Sequence, residues 1–177
     1  MTTKAYGAHA ADQPVVALDI QRRAPGPGDV QIDIAYCGVC HSDLHTVRSE
    51  WPGTLYPCVP GHEIVGHVSA VGSDVSGFKV GDTVGVGCLV DSCRHCASCD
   101  EGLEQYCTNG FVGTYNGPTA DAPGHTLGGY AQRIVVEQRF VLTAAARVDA
   151  GVVALSAIRS VSAVSGKVLD TNGTPIS

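Results

Sequence analysis

Cys93-Arg-His-Cys96-Ala-Ser-Cys99-Asp-Glu-Gly-Leu-Glu-Gln-Tyr-Cys107 packs four thiols into fifteen residues. Tetrahedral zinc takes four soft ligands at about 2.3 Å, and cysteines this close in one loop let backbone amides stabilise the thiolates while the chain wraps the ion. All four ligands are local, so such a knuckle closes without help from the rest of the fold. Two disulfides or free thiols are the alternative. The tight spacing, and a Met-Thr-Thr-Lys-Ala-Tyr opening without a secretory apolar region, favour a closed structural zinc site at Cys93, Cys96, Cys99 and Cys107. His95 lies inside the cluster, where four thiolates already satisfy the ion, and is expected to face solvent.

The knuckle sits in a long irregular stretch, residues 90–123, of a kind that a compact domain tolerates when something pins it; the cysteines supply the pin. On either side the pattern is β. Lys4 to Ala8, Val15 to Ile20 and Val30 to Tyr36 alternate apolar and polar, broken by Ala24-Pro25-Gly26-Pro27-Gly28-Asp29. Glu63 to Val71, Asp82 to Cys88, Gly129 to Val136 and Arg139 to Leu142 complete about seven expected strands. One short helix is predicted over His41 to Val47. From Asp149 onward Val152, Leu155 and Ile158 follow helical spacing, and Asn172-Gly173 is a turn signal without a second strand to follow it.

Composition bounds the function. The chain has 177 residues and a net charge of -6 from eleven Lys+Arg against seventeen Asp+Glu. That balance argues against nucleic acid or an anionic membrane surface as partner. Charged residues are 16%, below the average of about a quarter, and glycine reaches 22 residues. No stretch approaches the ~18 apolar residues of a membrane span. The expectation is a soluble, cytoplasmic, turn-rich domain with no nucleic-acid or membrane partner.

A second constellation lies in Gly38-Val-Cys40-His41-Ser42-Asp43-Leu-His45 and Gly61-His62-Glu63. Cys40 and His62 are zinc-type ligands from two segments, and Asp43 and Glu63 are acidic neighbours that could support or exchange with them. Two strong ligands leave the ion open to water and substrate, as catalysis on an alcohol or carbonyl oxygen requires. Ser42 and His45, three apart on a short helix, could relay a proton outward. A buried thiol with surface histidines fits the same spacing equally well.

The runs Cys37-Gly-Val-Cys40-His-Ser-Asp43-Leu-His45, Tyr56-Pro57, Val59-Pro-Gly61-His62-Glu63-Ile-Val-Gly66, Val80-Gly-Asp82 and the knuckle together resemble the zinc-dependent medium-chain alcohol dehydrogenases. The likeness is to the branch with cinnamyl-alcohol-dehydrogenase-like, NADP-dependent aldehyde reductases, and it covers residues 1 to about 142. It implies a mainly β fold, a GroES-like irregular β-barrel with short helices and a zinc-knuckle loop over 90–110. Carried over by position, the resemblance makes Cys40 and His62 catalytic zinc ligands with Glu63 beside the metal. Asp43 becomes the carboxylate orienting His62, Ser42 the hydroxyl bonding the substrate oxygen, and His45 the outer relay member. His41 falls where the cofactor's phosphates bind and Trp51 where the substrate pocket is lined. Zinc and NADP or NAD are the implied cofactors, a small alcohol or aldehyde the substrate, and a homodimer the implied assembly. Cys37, Cys58 and Cys88 match no ligand and are expected as buried small hydrophobes.

The remainder departs from the family. A Rossmann domain with a third zinc ligand and a Gly-rich fingerprint would follow the barrel, yet no Cys follows Cys107 and Ile158 stands near the third ligand's place. Residues 143–177 read as a partial helix and a non-family tail, as truncation, a frameshift or an artificial junction would produce. The main reading is a catalytic domain that interconverts alcohol and aldehyde when joined to a cofactor domain; the alternative is a zinc-binding, catalytically inactive remnant.

Overall fold

The computed structural model describes residues 1–143. The helical spacing from Asp149, Ile158 and the Asn172-Gly173 turn lie outside the described residues.

The chain runs β1 (Thr2–Gly7), β2 (Val16–Gln21), β3 (Asp29–Cys37), α1 (His41–Val47), β4 (Ile64–Val71), β5 (Thr83–Val86), β6 (Leu89–Asp91), α2 (Ala97–Asp100), β7 (Val112–Gly113), β8 (Arg133–Glu137) and β9 (Leu142–Thr143). Five strands form the main antiparallel sheet in the order β8-β3-β4-β5-β9, while β1-β2 and β6-β7 are separate two-stranded sheets. An Ala5–Ala131 bridge and an Ala8–Cys58 bridge join the N-terminal pair to the loops around the main sheet. The fold is mainly β, as expected.

Alternation places the core. On β3, Val30 and Ile32 are fully buried. Between them and beyond, Gln31 donates to Ser69 Oγ at 2.9 Å, and Arg133 donates to Asp33 at 2.7 Å. Ile64, Val68, Val84, Val86, Ile134, Val136 and Val141 close the same core. Burying each such side chain contributes roughly 1.5–3 kcal/mol before chain entropy is set against it. The expected turn before β3 is tied by Asp29, which accepts from the Gly26 N–H at 2.6 Å and pairs with Arg23.

Three expectations are corrected. The stretch 90–123 holds secondary structure of its own, β6 pairing with β7 (Leu89 with Gly113, Asp91 with Val112) and the single-turn α2. These elements are too short to carry a periodic signal. Arg139 to Leu142 is not one strand: residues Gln138–Phe140 form a 3-10 turn, capped where the Glu137 carboxylate accepts from the Arg139 N–H at 2.8 Å, and β9 begins only at Leu142. Cys88 is exposed rather than a buried small hydrophobe, because it stands just past the end of β5, whereas Cys58 is buried and Cys37 half-buried.

The helix α1 positions the second constellation. Cys40 is its extended N-cap (φ -106°, ψ 150°), and Asp43, at the third helical position, accepts from the Cys40 N–H at 3.0 Å. Its inner face buries Asp43, Thr46 and Val47, and Val47 packs on Ala8 and Cys58. Ser49, in the left-handed region at φ 53°, ends the run.

Candidate functional site

Cys40, His62 and Glu63 come together: one sulfur, one ring nitrogen and one carboxylate oxygen all lie within 4.8 Å of one another, each half-buried. The two segments that carry them are held by main-chain and side-chain bonds. The Gly38 N–H donates to the Glu63 carbonyl at 2.9 Å, closing β3 against the residues after the Gly61 turn. Gly61 has φ +100°, and a Cβ there would stand 2.6 Å from the Tyr130 ring and 2.7 Å from Cys37 Sγ, so only glycine fits both the backbone and the space.

Asp43, 2% exposed, is the staple. One carboxylate oxygen accepts from the Cys40 N–H at 3.0 Å and from the Tyr130 hydroxyl at 2.9 Å; the other accepts from the Gly61 N–H at 3.1 Å. It thus ties Cys40, at the N-cap of α1, to the residue preceding His62. His62 Nδ1 lies 4.0 Å from the same carboxylate, beyond a direct hydrogen bond, so the link between the two runs through the Gly61 N–H. Burial first, and then the bond to Asp43, push the Tyr130 phenol well above its ordinary range, so it stays protonated and donating.

Tyr115 covers the other side. Its ring lies parallel to the His62 ring (centroids 5.5 Å apart, 8° between planes), and its hydroxyl donates to Ser42 Oγ at 3.4 Å. Burial keeps this phenol protonated too. His45 does not meet Ser42. Its Nδ1 engages Glu50, and its ring is sandwiched between His41 (4.9 Å) and Trp51 (5.0 Å). His41 is exposed and Trp51 is 50% exposed, so both present area to solvent beside α1. Tyr115, Tyr130 and Glu50 were not foreseen from the sequence; only their type, polar-tipped aromatics and an acid beside the motifs, offered a signal.

The four knuckle cysteines come together. Cys93, Cys96, Cys99 and Cys107 bring their sulfurs within 4.8 Å of one another, with Cys99 and Cys107 buried. Arg94 takes a left-handed conformation (φ 64°) to turn the chain between Cys93 and Cys96. Backbone N–H groups of Thr108 and Cys99 draw the Cys96 thiol down to about 5, and the His95 N–H draws Cys93 down to about 7. These donors favour the thiolate, the form a metal needs, at Cys96 and Cys93, whereas at Cys99 the bond to Ser92 is outweighed by burial and the neighbouring Cys96 and Cys107 sulfurs, which push that thiol up to about 11. His95 is exposed and bonds the Cys93 carbonyl at 2.5 Å, outside the thiol set. Burial holds the Cys37 and Cys58 thiols up at about 12 and about 11, in keeping with spectator roles. His125 is buried against the Pro57 carbonyl at 3.0 Å and His67 lies on β4 beside Thr83, so neither joins a cluster. A cavity of about 400 Å³ lined by Arg22, Asp91, Thr114, His125 and Leu127, among others, shares no residue with either cluster.

The donor sets fit zinc by their chemistry. Four thiols make a closed tetrahedral set, and one thiol, one imidazole and one carboxylate make a three-ligand set that leaves a position for substrate.

Residues 26–146 match the alcohol dehydrogenase GroES-like domain. The chain is 66% identical over 142 residues to aldehyde reductase YahK of Escherichia coli (strain K12), spanning 80% of this chain and 40% of that one. It is 50% identical to NADP-dependent alcohol dehydrogenase C 1 of Mycolicibacterium smegmatis, across 94% of this chain and 50% of the relative. The solved cinnamyl alcohol dehydrogenase (SbCAD4) from Sorghum bicolor superposes with a TM-score of 0.82 at 42% identity, covering 87% of this chain and 44% of that one. The chain therefore spans about half, or less, of the length of these relatives. No helix among the described residues is long and apolar enough to cross a membrane. With a mainly β fold, both cysteine-bearing motifs and this match in place, the chain belongs to the alcohol dehydrogenase GroES-like domain family.

Proposed function

We propose that residues 1–142 form the catalytic domain of a zinc-dependent alcohol dehydrogenase or aldehyde reductase, which interconverts a small alcohol and its aldehyde with NADP or NAD. The observation that carries this reading is the convergence of Cys40, His62 and Glu63 within 4.8 Å at the foot of α1. Cys40, His62 and Glu63 would hold the catalytic ion, and Cys93, Cys96, Cys99 and Cys107 a structural one. A zinc ion at the first site supplies Lewis-acid polarisation of an alcohol or carbonyl oxygen, and the nicotinamide supplies or accepts the hydride.

This chain's residues manage position and protons. Ser42, at the start of α1, bonds the reacting oxygen and takes or returns its proton. His45, held by Glu50 and clamped between His41 and Trp51, is the outer member of the relay. Because no bond joins Ser42 to His45 directly, a water or the substrate itself bridges them in this scheme. Trp51 lines the substrate's approach and His41 meets the cofactor's phosphates. The Mycolicibacterium smegmatis relative is named NADP-dependent, which makes NADP the first cofactor to test.

The test joins residues 1–142 to an intact cofactor domain from the same family and measures aldehyde-dependent NADPH oxidation. The reading expects saturable turnover that Ser42→Ala reduces more than His45→Ala, since water can replace the outer relay member. A zinc-loaded, folded chimera without turnover overturns it.

A further inference from the structure

Tyr115 reaches the site from the loop that leaves the knuckle, eight residues after Cys107. That loop is pinned at both neighbours. The Thr114 N–H donates to the Cys88 carbonyl at 3.0 Å and its hydroxyl to the Gly87 carbonyl at 2.5 Å; the Asn116 N–H donates to the Thr126 carbonyl at 2.8 Å, and its side-chain oxygen accepts from the Leu55 N–H at 2.5 Å. The phenol between these anchors has little freedom of its own. Its ring lies 8° from parallel to the His62 ring, and its hydroxyl reaches Ser42 Oγ at 3.4 Å.

Two consequences follow from elementary chemistry. A parallel ring against one face of an imidazole restricts its rotation about χ2, which otherwise has a broad well. Ligand rings fixed from outside in this way bind metal more tightly than free ones. A protonated phenol donating to Ser42 Oγ occupies a lone pair of that oxygen, so the serine's own proton is turned to another acceptor. Tyr115 therefore acts on the ligand and on the proton carrier at once, from a segment that belongs to neither.

We propose that Tyr115 is a positioning residue of the open metal site: its ring clamps His62 in the ligating orientation, and its hydroxyl sets the direction of the Ser42 hydroxyl. The proposal rests on the reading of Cys40, His62 and Glu63 as an ion site, and assigns to the loop after the knuckle a part in that site.

The ring is tested on the full chain, without turnover. With the knuckle first filled by one equivalent of zinc, cobalt(II) is titrated into the second site and followed by its thiolate-to-cobalt absorption. Tyr115→Phe, which keeps the ring, is expected to bind cobalt within about threefold of the parent. Tyr115→Val, which removes it, is expected to bind about 10–100-fold more weakly, with knuckle zinc and melting temperature held as controls. Equal cobalt affinity in the parent, the Phe and the Val proteins overturns the clamp. No cobalt binding in the parent, or binding that His62→Ala leaves untouched, refutes the ion-site reading instead and so is distinguishable.

The hydroxyl is tested in the chimera with a cofactor domain, which also keeps the proposal falsifiable where the Val protein fails to fold. Tyr115→Phe is expected to lower kcat about tenfold with KM nearly unchanged, and to cost nothing further in a Ser42→Ala background, because the hydroxyl works only through Ser42. The same loss in both backgrounds overturns this half of the proposal, as does a kcat equal to the parent's.

Discussion

Replacing Asp43 probes the staple on which the open site depends. Its carboxylate accepts three hydrogen bonds, from the Cys40 N–H, the Gly61 N–H and the Tyr130 hydroxyl. In Asp43→Ala all three donors lose their partner. A buried donor left unmet costs about 1–3 kcal/mol. Gly61 is buried and Cys40 and Tyr130 are half-buried, so the first is charged near the top of that range and the other two near the bottom. The sum is about 5 kcal/mol, or a fall in melting temperature of about 15 °C for a protein this size. Asp43→Asn retains one oxygen. Turned to keep Cys40 and Tyr130, its amide faces the Gly61 N–H donor to donor, so about half the loss remains. Tyr130→Phe removes a single bond and costs about 1 kcal/mol. The assay is urea unfolding with zinc in excess, where the slope with denaturant should hold while the midpoint moves in the order Ala, Asn, then Tyr130→Phe. A shift below about 0.5 kcal/mol in Asp43→Ala, or one no larger than that of Tyr130→Phe, refutes the reasoning.

Cys99→Ala is expected to abolish tight zinc retention at the knuckle and lower the melting temperature, because forming that site and ordering residues 93–107 are one process; elemental analysis and a thermal melt check it. Gly61→Ala meets both φ +100° and the Tyr130 ring at 2.6 Å, and is expected to destabilise by about 2 kcal/mol or more and to weaken the Cys40, His62 and Glu63 site, read by denaturant unfolding and metal titration. The Asp29 carboxylate is held below its ordinary 3.8, first by the Arg23 guanidinium and further by the Gly26 N–H. Its contribution to stability is full above about pH 4 and is lost as pH falls through the lower folded value, so Asp29→Asn should destabilise at neutral pH and flatten the acid limb of a stability-against-pH curve below pH 4.

What the sequence made legible was what is local. The knuckle is contained in fifteen residues, and the helix read over His41 to Val47 is α1 itself, one short local element. Strands β3 and β4 showed as alternating or apolar runs because each buries a face. The three residues of β6 and two of β7 were invisible, since they pair across more than twenty positions and neither is long enough for a period. The same holds for the site's supports. Tyr130 meets Asp43 across 87 positions and Tyr115 meets Ser42 across 73, and nothing in the chain near either tyrosine announces a partner. The Ser42–His45 pair shows the converse: a spacing of three on one helix suggested contact, but Glu50 and the flanking rings of His41 and Trp51 hold His45 elsewhere.

The central claim, that Cys40, His62 and Glu63 form an open ion site distinct from the knuckle, is tested most directly by titrating zinc-free chain with zinc in competition with a chelator of known affinity. The account predicts two equivalents of unequal strength, the tighter lost in Cys99→Ala and the weaker lost in His62→Ala. One equivalent only, or two that both survive His62→Ala, would contradict it.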